Sequence, residues 1–175
     1  MRSPRPLSWA MLVVWSSWIA ALQGLLVART PLGAWVPDAG LVFVLACSAS
    51  FDRREAPRVA LLGALGRIAF TVEPAPAVLA GFLLAGLIVR AVATVAEVEG
   101  ALVRTILAGL AGWFFAVWLE LVHHVRDGKG EDLVQLLPKA ARLWPIGLSS
   151  AAFALCFARG LARLPGLSPL RRERW

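Results

Sequence analysis

Six apolar runs, each close to the length needed to cross a lipid bilayer, follow one another from Leu7 to Leu161, and short charged or Pro/Gly-bearing connectors separate them. The runs cover residues 7–28, 35–51, 58–72, 77–95, 101–122 and 143–161. A spanning helix needs about 20 apolar residues, with a range of roughly 17–25. In hydrocarbon every backbone polar group must be satisfied within the protein, so such runs can only be helices or the strands of a closed barrel. Runs of this length without period-two alternation read as helices. The expected fold is therefore all-α: one integral membrane domain over residues 1–175, with about six transmembrane helices in a compact bundle. The composition agrees, at 59% hydrophobic and 17% charged residues. A water-soluble domain is nearer 45–50% and 25%. A soluble globular enzyme is excluded as the default.

Local signals place the ends of the runs. Arg2 and Arg5 precede the first run, as in a signal peptide. No small-x-small cleavage site leads into a polar mature region, and more spans follow, so the run reads as a retained helix. Pro37-Asp38 opens the second run: proline suits a first helical turn, and a carboxylate suits the positive end of the helix dipole. The second run stops at Asp52-Arg53-Arg54-Glu55, and the third at Glu73-Pro74-Ala75-Pro76. The third run is the shortest, about 22 Å at 1.5 Å per residue against about 30 Å of hydrocarbon. It extends into its flanks, stays short inside the bundle, or is re-entrant.

The net charge of +7 comes from 18 Lys+Arg against 11 Asp+Glu. With six crossings and the amino terminus inside, twelve basic residues fall on the inner side and five on the outer, with Arg67 in between. By the positive-inside rule both termini are cytoplasmic. The basicity thus reads as topology, and no nucleic-acid partner is implied. Trp9, Trp35, Trp144 and Trp175 fall near span boundaries, whereas Trp15, Trp18, Trp113 and Trp118 lie deeper. Cys47 and Cys156 sit in apolar runs as packing residues, so no disulfide framework is expected.

Arg67 is the most unusual residue. A charge near mid-membrane costs roughly 2.5–3.5 kcal/mol on insertion scales and needs a partner inside the bundle. Glu120 is the first candidate for that partner, with Glu73 nearer the outer end. An internal ion pair and a ligand-binding role are both open. Glu120, His123 or His124, and Asp127 share a helix face at spacings that suit a metal, or simply mark the end of the fifth helix. No zinc-protease, nucleophile-elbow or phosphate-loop motif occurs. No catalytic residue, metal or cofactor is assigned. Ser149-Ser150 reads as helix–helix hydrogen bonding. Gly63 and Gly66, Gly81 and Gly86, and Gly109 and Gly112 allow close helix approach.

Taken together, the six short-looped helices with basic inner ends resemble the MreD family, bacterial rod shape-determining membrane proteins. The similarity rests on Pro37-Asp38 before the second helix, Arg53, Arg54 and Arg58 in the loop after it, and Gly63-Ala64-Leu65-Gly66 in the third. Trp118-Leu119-Glu120 and Leu143-Trp144-Pro145 add to it. One departure stands out: the acidic residue many members carry after the third-helix glycines is replaced here by Arg67. The resemblance implies a non-enzymatic component of the cell-elongation machinery in the bacterial inner membrane, supporting peptidoglycan synthesis. Its implied partners are an MreC-like protein and, directly or indirectly, MreB, RodA and a class B penicillin-binding protein. Pro37, Asp38, Gly63, Gly66, Arg67, Glu120, His123 and His124 are the candidate functional or partner-contact residues. The family's fold is similar to the S components of energy-coupling-factor transporters, which gives the alternative: a vitamin- or metal-capturing subunit.

Overall fold

A computed structural model describes residues 5–51, 54–92, 100–126 and 136–170. Among them the architecture is all-helical. The main helices are α1 (Arg5–Arg29), α2 (Ala39–Ser50), α3 (Ala56–Ile68), α4 (Ala75–Val92), α5 (Ala101–Arg126), the short α6 (Leu136–Arg142) and α7 (Trp144–Leu161). Single 3₁₀ turns occupy Gly33–Trp35 and Ser168–Leu170. Four stretches are long and apolar enough to cross a membrane: Pro6–Arg29, Ala75–Val92, Ala101–Arg126 and Leu137–Leu161. The second and third apolar runs yield shorter helices, of 12 and 13 residues. At 1.5 Å per residue these rise only about 18–20 Å.

The helix starts follow from local chemistry. Asp38 caps α2, its Oδ1 accepting from the Leu41 N–H at 2.9 Å. Pro57 and Pro145 occupy the first turns of α3 and α7, where their missing N–H costs nothing. The second run loses its first residues to the Gly33–Trp35 turn and to Pro37, so α2 begins only at Ala39.

α2 forms the centre. Nine of its twelve residues are buried, and α1, α3, α4, α5 and α7 all pack against it. A helix apolar on every side belongs in the middle of a bundle. Phe43 on α2, Phe82 on α4 and Phe115 on α5 anchor this core, with Phe82 and Phe115 edge-to-face at 5.4 Å. The long helices surround α2 and turn large apolar side chains outward. Trp18, Leu22, Leu25 and Leu26 on α1, Leu102 and Leu110 on α5, and Leu155 and Phe157 on α7 are all exposed. Contiguous apolar surface on this scale is rare on soluble monomers and suits a lipid solvent.

The small residues are spent at helix crossings. A Cβ on Gly66 would stand 2.7 Å from Ser16 Cβ, and one on Gly86 2.8 Å from Ala60 Cβ. One on Gly63 would collide with the Val44 side chain, and one on Gly81 with the Phe115 ring. Close backbone approach of this kind supports helix association in lipid. Three of the deeper tryptophans tie their helices to other parts of the bundle. Trp15 donates to Pro165 O at 3.1 Å, Trp113 to Ala140 O at 3.0 Å and Trp118 to Ala77 O at 2.9 Å. Trp35 and Trp144 meet edge-to-face at 5.4 Å.

Candidate functional site: a buried arginine between two carboxylates

At one end of the bundle the carboxyl ends of α1, α3 and α5 meet the amino ends of α2, α4 and α7. Arg67, one residue from the end of α3, turns inward there and is only 8% exposed. Its Nη1 reaches both oxygens of Asp38, at 2.7 and 2.6 Å. Its Nε and Nη2 form a fork on Glu73, each at 3.2 Å. Bidentate guanidinium–carboxylate pairing is among the strongest hydrogen-bond geometries available to side chains. The guanidinium carbon also lies 4.9 Å from the Phe115 ring centroid and 5.8 Å from that of Phe82, within cation–π range. The cluster holds two carboxylates against one cation, so its formal charge is −1.

Asp38 links this pair to the rest of the bundle. Its side chain caps α2 while binding Arg67, and its backbone N–H donates to Ser150 Oγ on α7 at 3.0 Å. Ser150 is fully buried and lies against Gly112 of α5, where a Cβ would come within 2.7 Å of its hydroxyl. Two residues on, the Gly40 N–H donates to Gln23 Oε1 of α1 at 3.3 Å. Six helices thus converge on one charged group. Glu73 is held in place by the turn after α3, where its N–H donates to Thr71 Oγ1 at 3.2 Å.

A cleft of about 340 Å³ adjoins the cluster, between the end of α1 and the α3–α4 connection. Gln23, Thr71, Arg67 and Glu73 supply its polar wall, and Val27, Phe70 and Val72 its apolar one.

The candidate residues named from sequence divide into three groups. Asp38 and Arg67 come together at the cluster, and Pro37 precedes the cap. Gly63 and Gly66 lie on the adjoining α3 and serve its close contacts with α2 and α1. Ser16 Oγ of α1 donates to Gly63 O at 2.7 Å within that contact. Glu120, His123 and His124 stand apart. Glu120 is not the partner of Arg67: it bonds Lys139 on α6 at 2.9 Å in a largely open setting. The reason is positional, since Asp38 and Glu73 both reach Arg67 from just before the amino ends of α2 and α4. His123 is exposed and His124 buried, and Asp127 lies outside the described residues. Among the described residues no three His, Cys, Asp or Glu side chains gather as a metal site.

Sequence reasoning missed Gln23, Ser150, Phe82 and Phe115 around the arginine. Gln23 carried a usable signal, as the one amide within the first apolar run. The two phenylalanines carried none, being ordinary residues of apolar helices. No protein-family model matches the chain, and no curated protein or solved structure matches it either.

Proposed function

We propose that this chain is a non-enzymatic, multi-pass protein of the bacterial inner membrane. It serves the cell-elongation machinery in the manner of MreD, supporting peptidoglycan synthesis through contacts with other membrane proteins. In this reading α2 and α3 are short second and third crossings enclosed by the longer helices, and both termini are cytoplasmic. The observation that supports it best is the full engagement of Arg67. The most unusual charge in the chain is saturated by Asp38 and Glu73 of the same molecule. It acts as a rivet between helices, leaving the apolar outer faces as the surface for partners. The implied partners are an MreC-like protein first, then MreB, RodA and a class B penicillin-binding protein. Depletion in a rod-shaped host should give rounded cells under the microscope, and an MreC-like protein should co-purify. Normal rods after depletion would defeat the reading.

The cleft beside the cluster favours a second reading, an S component of an energy-coupling-factor-type transporter. Its size suits a small ligand, and Gln23, Thr71 and Glu73 offer it polar contacts. Native mass spectrometry separates the two. A stoichiometric small molecule, lost on replacing Gln23 and Thr71, supports capture. A ligand-free chain bound to an MreC-like protein supports the scaffold.

A further inference from the structure

The cleft beside Arg67 has a chemistry that narrows what it can hold. α1 lays one face along it: Ala20, Gly24 and Ala28 recur every fourth residue, with Gln23 and Val27 beside them. Residues four apart stack on one helix face, and these three small side chains keep that wall low. A Cβ added at Gly24 would meet nothing within 4 Å, so the cleft is open at that point. The other wall is the α3–α4 connection, with Phe70, Thr71, Val72 and Glu73. At about 340 Å³ the cleft falls within the range of small-molecule sites, roughly 300–1,000 Å³.

Hydrogen bonding decides the sign of the charge it takes. Arg67 directs Nη1 to Asp38, and Nε and Nη2 to Glu73. All three nitrogens are engaged, so an anion would have to displace a carboxylate to reach them. Glu73 differs. An ionised carboxylate offers about four acceptor positions, and each Glu73 oxygen takes one hydrogen bond from Arg67. Acceptor capacity remains, and the side chain lines the cleft and is 19% exposed. Asp38 and Glu73 against Arg67 leave a formal charge of −1 beside the cleft. α1 and α3 both end here, and helix carboxyl ends favour cations. The amino ends of α2 and α4 have Asp38 and Glu73 before them. Arg29, at the tip of α1, is exposed and does not line the cleft. A hard metal ion takes about six or more oxygen ligands, whereas Val27, Phe70 and Val72 make much of this wall apolar. An aromatic ring such as that of Phe70 suits an organic cation.

We propose that the cleft binds a small organic ammonium with an apolar body, its charged head on Glu73 and its body against Val27, Phe70 and Val72. The proposal rests on the second reading above, capture of a small molecule, and names the class of ligand.

The full-length chain in phosphatidylcholine nanodiscs is titrated with 2-phenylethylamine, an ammonium at neutral pH, and with its analogues 2-phenylethanol and 3-phenylpropionate. Binding is read by equilibrium dialysis against empty nanodiscs. The ammonium should bind saturably, about tenfold or more tighter than either analogue, the worth of one charge-assisted hydrogen bond. Gly24→Leu, which places a side chain in the open space, should abolish that binding while circular dichroism stays unchanged. Leu25→Ala, an exposed residue of the same helix outside the cleft, should leave the affinity unaltered. Glu73→Gln should erase the preference for ammonium over alcohol. Because that change can also loosen the Arg67 cluster, Gly24→Leu carries the test. Equal binding of the three probes, or ammonium binding untouched by Gly24→Leu, would overturn the proposal. Saturable binding of the alcohol or the carboxylate alone, lost in Gly24→Leu, would overturn the cation and leave the capture reading in place. Absence of saturable ammonium binding would overturn it as well, and the capture reading would then stand or fall by native mass spectrometry.

Discussion

Arg67 holds its place because three groups compensate it at once: two carboxylates and a pair of ring faces. Removing only the cation leaves Asp38 and Glu73 facing each other without it. Arg67→Met should therefore lower stability by about 3–5 kcal/mol, as when one member of a buried pair is deleted. Thermal unfolding in mild detergent, followed by circular dichroism, measures the loss. Arg67→Lys should recover only part of it, because one ammonium cannot fork onto Glu73 and still reach both Asp38 oxygens. Combining Arg67→Met with Asp38→Asn and Glu73→Gln should restore most of it, since asparagine still caps α2 and no buried charge remains unmatched. A triple variant as unstable as Arg67→Met would mean that Arg67 stabilises by packing rather than by charge. The sequence marked Arg67 as an anomaly, because one arginine in an apolar run is visible without any fold. It did not single out Asp38 as the partner, since that contact joins residues 29 apart in the chain. Asp38 also had a sufficient local explanation as a helix cap.

The helix crossings explain which glycines matter. Gly63 faces Val44 across the α2–α3 contact with no space for a methyl group, whereas Gly24 on α1 has no neighbour within 4 Å. Gly63→Ala should destabilise by about 1–3 kcal/mol, the range for overpacking a filled core. Gly24→Ala should be neutral or stabilising by up to about 1 kcal/mol, from helix propensity alone. Adding Val44→Ala should relieve much of the Gly63→Ala penalty, a coupling that a double-mutant cycle in the same unfolding assay would reveal. Equal effects at positions 24 and 63 would count against the packing account. Helix positions were largely legible in the sequence: Pro37-Asp38, Pro57 and Pro145 mark three starts, and apolar runs mark the bodies. Helix lengths were less so. The third run continues to Val72, yet α3 ends at Ile68. The chain must turn early enough for Glu73 to come back onto Arg67, and that tertiary demand leaves no trace in local hydropathy.

For the molecule as a whole, the two ends of the bundle differ in chemistry, and the proposed orientation rests on this difference. One end holds the acidic-surplus cluster and the Glu120–Lys139 pair, together with the exposed Arg29, Arg126 and Arg142. The other holds Arg58, Arg90, Arg104 and Arg159. In the proposed orientation the end richer in arginine faces the cytoplasm by the positive-inside rule, so the Arg67 cluster and its cleft should face outward. The short helices α2 and α3 are where this orientation is most exposed to test, because their lengths alone do not demand two crossings. Leu32 and Val72 are exposed near the cluster end, while Arg58 and Arg163 are exposed at the basic end. Single cysteines at these four positions, in a chain with Cys47 and Cys156 replaced by alanine, can be probed in intact cells with a membrane-impermeant maleimide. Leu32→Cys and Val72→Cys should label without permeabilisation, and Arg58→Cys and Arg163→Cys only after it. Positions 58 and 72 bracket α3, so labelling both from the same side would remove α3 from the crossings. The twelve-to-five partition of basic residues would then fail with it, because every segment after α3 would change sides.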